Sequence, residues 1–90
     1  MEMRMTREMI CEYLEIYGCE EALLLDGYEE AFIGVNQEGG AVYDYGKMVD
    51  CLISKEKWTR DDAEEWISYN TLRALDYVSG VKPTVIFPVV

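Results

Sequence analysis

Eighteen carboxylates and no histidine define the chemistry open to this 90-residue chain. Without an imidazole there is no Ser-His or Cys-His nucleophilic pair, and the commonest general base and metal ligand is missing. Adjacent carboxylates occur at Glu20-Glu21, Glu29-Glu30, Asp61-Asp62 and Glu64-Glu65, and a hard cation such as Mg²⁺ or Ca²⁺ is the ligand such oxygens suit. The best of these stretches is DGYEE, 26–30, whose glycine would let several oxygens turn inward, although it lacks the spacing of an EF-hand loop. An acidic surface turn is the simpler account. Cys11, Cys19 and Cys51 are odd in number and lack CxxC spacing, so buried free thiols are expected rather than a disulfide framework or a zinc site. No GxxxxGK[ST] or GxGxxG loop is present to cradle phosphate. The expectation is a chain without metal or cofactor, and not an enzyme.

The net charge of −10 is unevenly placed. Glu8, Glu12, Glu15, Glu20, Glu21, Asp26, Glu29, Glu30, Glu38 and Asp44 fall in 8–46, which contains no Lys or Arg, while 47–90 holds six bases against seven acids. Such a field repels nucleic acid, whose binding needs cations against phosphates, and attracts basic surfaces. No direct nucleic-acid binding is expected. No apolar run approaches the ~20 residues of a membrane span, and MEMRMTREM lacks the apolar core of a signal peptide, so a cytoplasmic protein without membrane contact is expected.

The elements that must carry these residues can be read from caps and periodicity. The longest is 59–80, with Thr59 as N-cap, acids massed in the first turn, and a stop at Ser79-Gly80 before Pro83. Its spacing of Ala63, Trp66, Ile67, Asn70, Ala74, Leu75 and Val78 predicts one buried stripe with Asn70 satisfied inside it. A buried Trp66 implies a cost of about 3–5 kcal/mol for Trp66→Ala. An acidic helix over 6–17 closed by Gly18, and a helix over 45–56 capped by Asp44, complete the helical set. Strands are expected at 22–25, 31–35, 41–44 and 85–87, with NQEGG closing an antiparallel hairpin and the two prolines confining the last strand to an edge. The fold class is α+β: a single domain, 1–90, with a small antiparallel sheet of three to four strands packed on the long C-terminal helix and two further helices on its flanks. Tyr43, Tyr45 and Tyr69, near Asn70 and Arg73, are candidates for an interface hot spot or a pocket lining.

The stretches LLLDGYEEAFIGV (23–35), VYDYGKMVDCLI (42–53), DDAEEWISYNT (61–71) and PTVIFPV (83–89) resemble a family of short acidic proteins common in bacteriophage and prophage genomes. The likeness runs in order over about three quarters of the chain. It departs at Leu75-Asp76-Tyr77-Val78, where the family carries a small-residue GAYVG-like segment, and the acidic first helix lies outside it. The family has no assigned activity, so the resemblance implies a viral setting and no mechanism. Joined to the charge split, it leads to a non-enzymatic inhibitor of a host nucleic-acid-handling or defence protein, anti-CRISPR-like, acting by nucleic-acid mimicry. Its partner-binding residues would be Glu8, Glu12, Glu15, Glu20, Glu21, Asp26, Glu29, Glu30, Tyr43 and Tyr45, set against a basic protein surface. The alternatives are a homodimeric accessory protein whose acidity serves solubility, and a metal-dependent enzyme using carboxylate pairs.

Overall fold

Each α-helix among the described residues starts on a capping side chain. In the computed structural model, which describes residues 5–19, 21–77 and 80–88, Thr6 Oγ1 accepts the Met9 amide at 3.2 Å, Asp44 Oδ1 that of Lys47 at 3.0 Å, and Thr59 Oγ1 that of Asp62 at 3.2 Å. The helices that follow are α1 (Arg7–Ile16), α2 (Tyr45–Glu56) and α3 (Arg60–Trp66). α1 closes on Gly18 at φ 69°, with Cys19 N–H reaching Leu14 O at 2.8 Å and Gly18 N–H reaching Glu15 O at 3.1 Å. These two bonds satisfy carbonyls that would otherwise be orphaned at the helix end.

The long C-terminal helix is the main departure from expectation. Regular α-helix stops at Trp66 and continues as wide π turns over Ile67–Leu72 and a tight 3₁₀ segment over Arg73–Tyr77. Ile67, Ser68, Asn70 and Thr71 are β-branched or hydrogen-bond locally, and so hold an α-helix weakly. Tertiary contacts then choose the wider turn. Ala63 and Ile67 are fully buried, Thr71 and Leu75 partly so, and Thr71 Oγ1 meets Tyr28 Oη at 3.0 Å. Those four positions are spaced by four, a pattern that drifts about 40° per step on an ideal α-helix. Wider turns rotate less per residue, which keeps Thr71 close to the side that Ile67 buries.

The predicted stripe is accordingly wrong in part: Trp66 is 45% exposed, and Asn70 and Ala74 are exposed too. Val78 and Ser79 lie outside the described residues.

Strands β1 (Phe32–Val35) and β2 (Ala41–Asp44) form the expected antiparallel hairpin. Its loop is held by Asn36, whose Oδ1 accepts the Glu38 and Gly40 amides and whose Nδ2 donates to Thr84 Oγ1 at 2.8 Å. Gly39 takes φ 85°, whereas Gly40 serves close approach, since a Cβ there would lie 2.7 Å from the Lys82 carbonyl. The sheet order is β1-β2-β3, with β3 (Thr84–Ile86) at an edge as expected but parallel to β2, so the sheet is mixed. α2 and α3 form the crossover that such a parallel pair requires. The strand expected at 22–25 is absent from the described residues: Ala22 makes a single parallel bridge to Val81, and the Leu25 amide goes to the Tyr43 hydroxyl.

The core forms around α2. Met48, Val49 and Leu52 of that helix meet Tyr43, Ala41 and Phe32 from the sheet, Ile10 and Leu14 from α1, and Ala63 and Ile67. α2 also packs on the 3₁₀ turn Glu29–Ala31. The central helix is thus the second, where the sequence pointed to the last.

Candidate functional site

Glu8, Glu12 and Glu15 stand on one side of α1, because offsets of four and three return to the same helix face. All three are exposed, and none makes an ion pair among the described residues. Ile10 and Leu14 bury the opposite side. Between the two faces, Tyr13 stacks on Tyr17 with ring centroids 4.7 Å apart and meets Phe32 edge-on at 5.7 Å. Glu21 is exposed beyond the helix, and Glu20 lies outside the described residues.

The other expected partner-binding residues do not extend this face. Asp26 pairs with Arg7 at the start of α1. Glu29 turns back to accept the Gly27 amide at 2.9 Å, and with the exposed Glu30 it lines a hollow of about 450 Å³ that also contains Arg7 and Lys55. The 26–30 turn is therefore compensated by cations from two helices, and is not an open array of carboxylates. Tyr43 is fully buried, with its hydroxyl accepting the Leu25 amide at 3.0 Å, and cannot present a surface to a partner. Burial pushes its phenol above the ordinary value. Tyr45 is half-buried against Phe87, ring centroids 4.5 Å apart. Its phenol is also raised, by burial first and by Glu64 next.

Of the cysteines, Cys19 is buried, Cys51 is half-buried with its thiol pushed up by burial, and Cys11 is exposed, against the expectation of buried thiols. Among the described residues no three Cys, Asp or Glu side chains converge as metal ligands would. Nor is any helix there long and apolar enough to cross a membrane.

A second feature lies where the sequence placed core. Asp62, Glu65, Trp66 and Tyr69 follow one another at i, i+3, i+4 and i+7 on the outer face of α3 and the turns after it. Together with Trp58 and Asn70 they line an open groove of about 390 Å³. Trp58 packs on the core, and Trp66 leans on it with ring centroids 5.3 Å apart at 58°. Tyr69 is 64% exposed. Of the residues named from the sequence as a possible pocket lining, Tyr69 and Asn70 border this groove, and Tyr43, Tyr45 and Arg73 do not. The i, i+3, i+4, i+7 run of acids and aromatics was the readable signal.

No family model, curated protein or solved structure matches the chain.

Proposed function

We propose that this chain is a non-enzymatic binding protein that docks on a basic protein surface and blocks it, its carboxylates standing where phosphates would lie. The partner class is a nucleic-acid-handling or defence protein of a bacterial host. The observation that carries this reading is the α1 face, where Glu8, Glu12 and Glu15 are exposed, aligned and without an ion-pair partner among the described residues. Like charges at this spacing repel by about 0.2–0.5 kcal/mol per pair, a cost that opposing Lys or Arg would reverse. The same field opposes direct contact with nucleic acid. The resemblance to short phage proteins supplies the setting, an anti-CRISPR-like protein acting in the host cytoplasm.

The test is competition. Wild type and a Glu8→Lys, Glu12→Lys, Glu15→Lys variant are assayed for inhibition of purified bacterial nucleases and other DNA-binding enzymes, with duplex DNA as competitor. The expected result is inhibition by wild type that duplex DNA relieves and that the variant has lost. Equal inhibition by the two forms would sink the proposal.

A second reading, a homodimeric accessory protein, has one observation in its favour. Tyr13, Ile16, Tyr17 and Ile33 are 36%, 78%, 59% and 46% exposed on α1 and the neighbouring edge strand β1. Exposed apolar groups beside an unpaired strand edge suit self-association. Sedimentation equilibrium separates the two readings, since a monomer throughout the micromolar range excludes the dimer.

A further inference from the structure

The groove on α3 combines features that the docking face on α1 lacks. It is lined by Trp58, which packs on the core, by the exposed rings of Trp66 and Tyr69, and by the exposed Asp62 and Glu65. No Lys or Arg among the described residues lines it, and Arg60 faces Asp50 instead, at 4.0 Å. Aromatic faces attract cations through their ring quadrupoles, most strongly at tryptophan. Two carboxylates beside them add charge of the sign a cation needs. The wide turns over Ile67–Leu72 place Tyr69 and Asn70 beside Trp66, and such turns recur at functional sites.

We propose that this groove receives the side chain of an arginine projecting from a basic segment of the partner protein. The shape and lining select the guanidinium among cations. A planar guanidinium can lie on an indole face and still direct its N–H groups at a carboxylate. A quaternary ammonium has no N–H groups for Asp62 and Glu65, and is best held by an enclosed cage, whereas this groove is open on one side. A lysine ammonium is a strongly hydrated point charge that gains less from stacking. The inference deepens the reading above, since it rests on the partner being basic, but it concerns a different set of side chains.

Both tryptophans of the chain line the groove, so indole fluorescence reports on it directly. The experiment titrates the intact protein with a short arginine-containing peptide, and in parallel with matched lysine and citrulline peptides and with tetramethylammonium. The expected result is a saturable change with the arginine peptide at least about tenfold tighter than with citrulline, and weakened about five- to tenfold by Trp66→Ala. Asp62→Asn with Glu65→Gln, which leaves the aromatic packing in place, should weaken it similarly, and circular dichroism of each variant confirms that it is folded. An equal response to arginine and citrulline, tighter binding of lysine or tetramethylammonium, or no saturable change up to millimolar peptide overturns the proposal. If the groove is silent while α1-dependent inhibition persists, the groove reading falls alone. If the peptide binds the groove while charge reversal on α1 spares inhibition, the docking reading falls alone.

Discussion

Tyr43 and Trp66 have exchanged the roles that residue type and spacing suggested. Tyr43, which looked like an interface tyrosine, has no exposed surface and binds the Leu25 amide, whereas Trp66, assigned to the core, is 45% exposed. Tyr43→Phe therefore removes the acceptor of a part-buried amide, at a cost of about 1–3 kcal/mol, while Trp66→Ala gives up about half a full burial, or ~1–2 kcal/mol. Urea denaturation of the two variants checks the order; Trp66→Ala losing 3 kcal/mol or more would restore the stripe. Burial also raises the phenols of Tyr43 and Tyr28 and the thiol of Cys51. A group that holds its proton more tightly when folded adds stability that is complete below its unfolded pKa and is lost as pH rises through the folded one. Stability should thus be flat near neutral pH in respect of these groups and fall from about pH 9 upward, the thiol first and the phenols above about pH 10. Spectrophotometric titration should show the phenols of Tyr28 and Tyr43 ionising above the ordinary tyrosine range.

Among the elements, the starts were legible and one interior was not. Asp44 and Thr59 cap where sequence places them, and α2 has the predicted bounds, because a cap depends on a side chain and an amide only three residues apart. The hairpin was legible for the same local reason. The parallel pairing of β3 was not, since it depends on where a crossover of two helices returns the chain. Nor was the widening of α3, which follows from partners distant in sequence such as Tyr28 at Thr71. The misplaced groove has the same origin, because Trp66 and Ile67 are neighbours and only the turn geometry decides which faces inward. The end of α2 gives a prediction at this scale. Lys57 closes it at φ 59°, a conformation that costs a residue with a Cβ roughly 1 kcal/mol or more and glycine almost nothing. Lys57→Gly should raise stability by about 0.5–1 kcal/mol after the greater unfolded-state freedom of glycine is counted. Asp44→Ala at the other end should lower it by about 0.5–2 kcal/mol. Chemical denaturation of both variants reads the two signs, and a loss from Lys57→Gly would contradict the account of that cap.

At the scale of the whole molecule, charge in sequence and charge in space diverge. The 8–46 half looked uniformly anionic, yet Asp26 pairs with Arg7, and Glu29 and Glu30 share a hollow with Arg7 and Lys55. The other half looked balanced, yet it presents Asp62 and Glu65 beside three aromatic rings, with no base of the described residues in the lining. Among the described residues the α1 face is likewise left without an ion pair. The pairs of Arg7 with Asp26 and of Arg60 with Asp50 are exposed and contribute little. Self-repulsion from a net charge of −10 should then outweigh attraction. Raising NaCl from 0.01 to 1 M shortens the screening length from about 30 Å to about 3 Å, so the melting temperature of the wild type should rise with salt. Reversing Glu8, Glu12 and Glu15 to lysine, each reversal worth two charges, takes the net charge from −10 to −4. That variant should melt no lower than wild type at low salt and should gain less from added salt, because the repulsion that salt screens has already been relieved. Its helix keeps its cap at Thr6 and its buried Ile10 and Leu14, so no packing is lost to mask the effect. Scanning calorimetry of both proteins at the two salt concentrations measures this. A wild type destabilised by salt would mean that ion pairs dominate the surface, and α1 would then lose its standing as an unsatisfied face.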